Sequence, residues 1–410
     1  MPRLLLLVPT TSYRISDFLG AARRLDVEVT VGSNRRQVLE KFSPGRTVTL
    51  DVRNSEKGTK QIIDFARRYP LQAIVAVDED TTVLAAKASE ALGLPHNSPS
   101  SVGAAANKYR FRTVLAEAGL PSPGFTVVSR EDDPAEVAHR VEYPCVLKPL
   151  ALSASRGVIR ADDPAGFAAA FYRLGKILND AYAGSLTGTG DYILVEDYIP
   201  GTEVALEGLL DRGQLSVLAL FDKPDPLQGP FFEETIYVTP SRLPAGVQHA
   251  VTTATARAVT ALGLHDGPIH AELRIDEKGP VIIELAARSI GGLCSRVLRF
   301  GMGIPLEELI LRHALRLPIE SLERESRAAG VMMIPIPRAG WLRQVRGLEG
   351  ARSVPGIEDV TITIPLGHEV VPLPEGSKYL GFIFARERTP QKVEAALRAA
   401  HSRLEFVIDP

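Results

Sequence analysis

The 410-residue sequence predicts an α/β domain followed by an α+β remainder, and three observations carry that prediction. Up to residue 96, short apolar runs alternate with amphipathic stretches, the pattern of a parallel layered fold. From Tyr192 three strand-like runs follow one another without an intervening helix, which implies an antiparallel sheet. From about Gly330 the pattern changes again, to short strands and two helices of a compact C-terminal α+β module. A chain this long exceeds one ordinary domain, so several packed units are expected.

In the first domain the strand-like runs are Leu4 to Val8, Val27 to Val31, Val48 to Leu50 and Ala73 to Val77. Between and after them lie amphipathic stretches at Ile15 to Leu25, Arg35 to Phe42, Thr59 to Tyr69 and Thr82 to Leu92. The opening apolar run stops at Pro9 and is too short for a signal-peptide core, so it reads as a strand. Pro9-Thr10-Thr11-Ser12 follows it where a dinucleotide-binding fingerprint would need its glycines. Asp78-Glu79-Asp80 follows the last strand, and three acids there suit the start of the next helix, with a cleft lining as the other reading.

The Ser, Pro and Gly-rich stretch from Asn97 to Ala106 marks the first boundary. The helix from Asn107 to Ala118 places Lys108 and Arg112 one turn apart, as solvated charges or as a binding face. Lys148 ends the apolar strand beginning near Val146, and Pro149 and the small-residue loop Ser153-Ala154-Ser155-Arg156-Gly157 follow. A lysine beside free backbone N–H groups suits a phosphate; a snorkelling lysine before an ordinary turn fits the same letters. Pro164 to Leu178 reads as an amphipathic helix and Gly184 to Asp191 as a surface loop.

The antiparallel runs are Tyr192 to Glu196, Glu203 to Leu210 and Gln214 to Phe221. Glu196-Asp197-Tyr198-Ile199 with Pro200-Gly201 and Glu203 puts carboxylates on both sides of a hinge whose backbone could pair with a base edge, or makes a plain β-turn. Asp222 to Glu234 is a Pro and Gly-broken loop carrying Lys223, a lid or a long excursion. After a helix from Val247 to Leu262, Ile269 to Gly292 reads as a hairpin turning at Asp276-Glu277-Lys278-Gly279. Alternation puts His270 and Glu272 on one face of its first strand, and the turn brings Glu284 alongside. Two adjacent carboxylates repel unless a cation or proton sits between them, and hard oxygen donors suit Mg²⁺, with Mn²⁺ acceptable to the same donors. The bland reading is a hairpin whose charges face water. Cys294 to Phe300 and Leu306 to Leu315 read as helices.

Lys and Arg number 47 against 49 Asp and Glu, so the net charge of −2 gives no case for nucleic acid or an anionic membrane as partner. Cys145 and Cys294 lie far apart in apolar surroundings, as buried free thiols in a reducing cytoplasm would. No apolar segment approaches a membrane span, and a cytoplasmic protein is expected.

Taken in order, these stretches resemble the ATP-grasp superfamily of carboxylate–amine ligases over essentially the whole chain. The resemblance implies an ATP-grasp fold: a Rossmann-like domain over 1–97, a small subdomain with the phosphate loop over 98–190, a catalytic subdomain over 191–328 and the C-terminal module over 329–410. It implies ATP held by Lys108, Lys148, Ser153, Ser155 and Gly157 at the phosphates, Glu196 to Ile199 at the adenine and Glu203 at the ribose. It makes Glu272 and Glu284 the metal ligands and Arg288 the arginine of the family's E-x-N-x-R signature, with His270 near substrate or structural. Two positions depart from the pattern: Ala286 stands where many members have a metal-binding Asn, and Ala154 where Gly is usual. Ala287 to Gly292 and the C-terminal module are most similar to the L-amino-acid ligase group, whose substrates are small carboxylates and amines and whose members are often homodimers. Purine-pathway and biotin-carboxylating enzymes share the architecture, and an ATP-binding regulatory protein without turnover is the rival from another class.

Overall fold

The computed structural model describes residues 1–10, 12–35, 44–183 and 188–410. The stretch expected from Arg35 to Phe42 lies outside the described residues from 36 onward, as does the 184–187 part of the Gly184 to Asp191 loop.

The N-terminal sheet is parallel throughout, with β1 (Arg3–Leu7), β2 (Glu28–Ser33), β3 (Thr47–Thr49) and β4 (Ala73–Ala76) in the order β3-β2-β1-β4. Both faces of β1 are buried, as parallel sheets require. Leu4 and Leu6 join Phe18 of α1 (Ile15–Arg24), whereas Leu5 and Leu7 join Ile62 and Phe65 of α2 (Ser55–Ala66). Full burial of each leucine contributes roughly 1.5–3 kcal/mol, which explains why four leucines in a row belong here. Helix α3 (Thr82–Leu92) ends at Gly93, whose φ of 66° closes it in the left-handed region that glycine occupies without penalty. Helices α4 (Pro99–Ala105) and α5 (Lys108–Glu117) then lead out of the domain.

A second sheet, ordered β5-β8-β6-β7, comprises β5 (Phe125–Ser129), β6 (Cys145–Pro149), β7 (Ile159–Ala161) and β8 (Tyr192–Asp197). The short helix α6 (Pro134–Ala138) and the longer α7 (Pro164–Ala181) cover it, with Phe167, Phe171 and Leu174 of α7 packed on Leu147 and Ile193.

The central sheet has eight strands. β9 (Thr202–Asp211), β10 (Gln214–Asp222), β11 (Ile236–Thr239), β12 (Gly267–Asp276) and β13 (Gly279–Ala286) supply five of them. Strands Ala328–Ile334, Gly381–Glu387 and Ile357–Ile362 supply the rest, joined through the β11 pairing with Ala328–Ile334. The C-terminal segment, expected as a compact module, therefore extends the central sheet, and only Gly340–Arg346, Glu369–Val370 and Glu405–Asp409 form a small sheet of their own. Alternation along β9 divides the interior: Val204, Leu206 and Leu210 pack with α8 (Ala245–Leu262), whereas Ala205 and Leu209 face the N-terminal domain. Glu203 and Glu207 share that second face. At the entry to β9, Gly201 has φ 98°, and a Cβ there would meet the Ile275 carbonyl oxygen at 2.0 Å, so no other residue fits the hinge.

The helix expected from Cys294 to Phe300 does not form. A single 3₁₀ turn, Cys294–Val297, gives way to the strand Arg299–Phe300, which pairs with Ile304–Pro305. The apolar spacing is helical, but Gly301 and Gly303 both take positive φ and make a tight reversal between the two strands. Helix α9 (Leu306–Ala314) follows as expected. Among the described residues no helix is long and apolar enough to cross a membrane. Both cysteines are buried free thiols.

Candidate functional site

A cavity of about 540 Å³ opens on the face of the central sheet that carries Glu203 and Glu272. Its walls come from the N-terminal domain (Tyr13, Glu79), the second sheet (Lys148, Glu196) and the C-terminal segment (Ser377 to Tyr379). Of the ATP-binding, metal and catalytic residues that the resemblance implied, all but Gly157 line this wall; Arg112, Lys223 and Ala286, also singled out in the sequence, lie off it.

Lys148 leaves β6 and meets Glu196 of β8 at 2.6 Å; the same carboxylate takes Arg112 of α5 at 2.6 and 3.2 Å. All three are buried, with relative exposures of 7%, 3% and 1% for Lys148, Glu196 and Arg112. Arg112, read in the sequence as solvated or binding, is neither: its other N–H groups donate to the Ile282 and Ile283 carbonyls of β13. Burial disfavours the Glu196 carboxylate, but Arg112 and Lys148 outweigh it and hold its pKa down at about 2. Burial lowers the Lys148 pKa, with Glu196 opposing. Glu196, expected at the adenine, lines the cavity and fixes the lysine.

Lys108 sits in the first turn of α5, where the Asn107 side chain caps the helix by accepting from the Arg110 N–H at 3.1 Å. Its Nζ donates to the Leu152 carbonyl at 2.9 Å and lies 3.0 Å from Glu284. In the hairpin Glu272 and Glu284 are directly paired residues, with a bulge immediately after Glu272. The two carboxylates thus project side by side, as the alternation implied.

Glu272 faces a cage that local motifs did not reveal. Lys223, 4% exposed and expected on a lid or loop, is held by Glu203 at 2.7 Å, by Glu234 and by Glu272 at 3.2 Å. The oxygens of these three carboxylates lie within 4.8 Å of one another. Burial raises the Glu234 pKa to about 7, with Glu272 adding to the rise and Lys223 opposing it. Glu203 also accepts from Arg274 at 2.9 Å. The imidazole of His270 lies between Glu207, 3.1 Å from Nδ1, and Glu272, 3.4 Å from Nε2. Burial opposes its charge, but the two carboxylates raise its pKa to about 9, so the ring is a cation at neutral pH with both nitrogens engaged.

Arg288 points into the cavity and is held by Glu79 at 2.8 Å. Glu79 was expected among solvated helix-starting acids; it is half-buried instead, its pKa raised by desolvation against the opposing Arg288. Contiguity of three acids gave no hint of which one turns inward.

In the small-residue loop, Ala154 and Ser155 have φ of 57° and 53°, a left-handed conformation that costs L residues roughly 1–2 kcal/mol each. The Gly157 N–H is not free, because it donates to the Pro374 carbonyl at 2.9 Å, and Arg156 donates to the Glu375 carbonyl at 2.9 Å. The hinge is more occupied than the sequence suggested: Asp197 N–H donates to Gly124, Tyr198 N–H to Pro144, and the Ile199 carbonyl accepts from Arg274. Among the described residues the Ile199 N–H has no protein partner.

Comparison with known proteins places this geometry in a family. Residues 19–96 match the ATP-grasp N-terminal domain, 141–297 the ATP-grasp domain and 332–409 the L-amino acid ligase C-terminal domain 2. The crystal structure of the L-amino acid ligase from Bacillus licheniformis superposes with a TM-score of 0.82 at 26% identity, covering 100% of this chain and 99% of that one. Alanine–anticapsin ligase of Bacillus subtilis (strain 168) is 25% identical over 62% of this chain and 56% of its own length. Dapdiamide A synthase of Enterobacter agglomerans is 28% identical over 55% of this chain and 52% of its own. The chain thus spans about half the length of these two curated relatives. With three domain matches in sequence order and one superposition along its whole length, this chain belongs to the ATP-grasp superfamily and has the domain make-up of its L-amino acid ligases.

Proposed function

We infer that the chain is an ATP-dependent, ADP-forming ligase that activates a small carboxylic or amino acid as an acyl phosphate and joins it to an amine. The observation that carries this reading is the convergence of Lys108, Lys148, the paired Glu272 and Glu284, and Arg288 on one cavity. The names of the relatives, an L-amino acid ligase, an alanine–anticapsin ligase and a dapdiamide A synthase, support the same chemistry.

Lys108 and Lys148 would hold phosphate oxygens, with Ser153 and Ser155 donating from the loop above. The unpartnered Ile199 N–H would meet the base edge. Glu203 stands near the ribose position, although Lys223 and Arg274 already share its oxygens. The donor set fits a hard divalent cation: two carboxylates at directly paired positions, with Glu203 and Glu234 oxygens close to Glu272. Glu272 and Glu284 would hold Mg²⁺ there, and the ion would supply neutralisation of phosphoryl charge. Lys108, now on Glu284, is long enough to turn to phosphate when the carboxylate takes a metal.

In the first half-reaction a carboxylate oxygen of the acid attacks the γ-phosphorus and the bond to ADP breaks. In the second the amine nitrogen attacks the acyl carbon, phosphate leaves and the nitrogen loses a proton. Arg288 would neutralise charge growing on the carbonyl oxygen, a role worth most in a site closed to water. Positioning and charge carry the rate, as in phosphoryl transfer generally.

The test is ADP and phosphate release from Mg-ATP against a panel of amino acids, small acids, amines and bicarbonate, with products read by mass. Release only with an acid and amine pair supports the ligase. Release with bicarbonate alone, or nucleotide binding without turnover on any pair, refutes it.

A further inference from the structure

Arg288 rides on a short connection, residues 287–292, that belongs to no helix or strand. Its aim into the cavity therefore rests on whatever holds that backbone as well as on the Glu79 pair at its guanidinium. Two buried charges hold the backbone, neither used by the chemistry above. Glu207 of β9, with no exposed surface, accepts the Ile290 N–H on both carboxylate oxygens at 3.1 and 3.0 Å. From the other side Arg14, 2% exposed, donates to Ser289 Oγ at 2.8 Å and anchors to the N-terminal domain through the Val77 carbonyl at 2.7 Å. Arg14 Nε is buried without a partner among the described residues, so the guanidinium is oriented for Ser289 and Val77 at the expense of its own satisfaction. A buried charge that an apolar side chain could replace is weak evidence for stability alone, and its best-attested use is to fix one arrangement among several.

Building on the ligase reading, we propose that Glu207 and Arg14 are positioning residues: together they pin Ser289 and Ile290 and keep Arg288 aimed at the reacting carbonyl. Glu207 has a second hold on the site. Its contact with His270 Nδ1 turns Nε2 toward Glu272, so one carboxylate orders both the Arg288 connection and the imidazole beside the metal ligand. Arg14 makes the N-terminal domain part of the site, because its pin on Ser289 bridges that domain and the central sheet.

The experiment compares Glu207→Gln, Arg14→Gln, the double variant and Arg14→Lys with the wild type. It reads single-turnover rate, ADP affinity by titration and amide hydrogen exchange across residues 287–292. Misplacing Arg288 is expected to slow turnover roughly 10- to 100-fold in either Gln variant, with ADP affinity within about two-fold. Exchange should quicken in 287–292 and nowhere else. The double variant should lose little more than either single one, because both act on one connection. Arg14→Lys, which keeps a cation able to reach Ser289, should recover part of the rate. Unchanged turnover with unchanged exchange in 287–292 overturns the proposal. So does a loss in which ADP affinity and protection fall across the whole molecule, the mark of a folding defect. If the wild type joins no acid to any amine, the ligase reading fails by itself, and the exchange of 287–292 still decides whether the two residues pin the connection.

Discussion

Glu196→Gln isolates the electrostatics at the centre of the site. The substitution keeps the side chain's size but leaves Arg112 and Lys148, both buried against it, without the only carboxylate they share. The Glu196 pKa is held at about 2 against a reference of 4.5. A carboxylate lowered on folding contributes stability that is fully present above its unfolded pKa and lost as pH falls through its folded one. At neutral pH the contribution is therefore about 3 kcal/mol. Stranding one side of a buried pair costs about 3–5 kcal/mol, which agrees. Thermal melts at about pH 7 should show the variant roughly 3–4 °C below the wild type, the unfolding entropy of a 410-residue chain setting the scale. At about pH 3, one unit above the folded pKa, the gap should shrink to less than half of its neutral value. A gap that acid does not narrow, or no gap at all, would refute the account of Glu196 as the counter-ion that holds Lys148.

Lys148→Met should behave differently, because Glu196 keeps its two contacts to Arg112. The fold should lose only about 1–2 kcal/mol while Mg-ATP affinity falls roughly 10- to 100-fold, measured by melts and titration side by side. Arg288→Gln should leave ADP affinity nearly unchanged and cut single-turnover rate roughly 100-fold or more; equal losses in both would make Arg288 structural. Glu375→Gln weakens the exposed bidentate pair with Arg173, at 2.6 and 2.9 Å, that ties the C-terminal segment to α7 beside the phosphate loop. Stability should change by about 1 kcal/mol at most, and stopped-flow ADP release should quicken a few-fold; an unchanged release rate would show that the pair does not hold the loop down.

Much of the architecture was legible because it follows from short-range periodicity. The alternation of runs before residue 96 gave a parallel sheet, and consecutive strands after Tyr192 gave an antiparallel one. The hairpin gave the side-by-side placement of Glu272 and Glu284, since a tight turn and a two-residue period fix which side chains meet. Glu207 was within reach of the same logic, four residues from Glu203 and hence on its face, but no local motif marked it. What the letters could not give was the partner of each charge. Arg112 looked like a helix-surface residue and is buried, Glu196 looked like a hinge acid and anchors a lysine, and the three acids after β4 contain one, Glu79, that turns in to Arg288. Lys223 and its three carboxylates come from three separate segments of the chain, and the Arg288 connection is pinned at once from the central sheet and from the start of α1 in the N-terminal domain. The sequence by itself determined most of the strands and helices, because those depend on neighbours a few residues away, with Cys294 to Phe300 the exception. Only the tertiary structure decided which charges are buried together, because a buried charge is tolerable only where another part of the chain neutralises it.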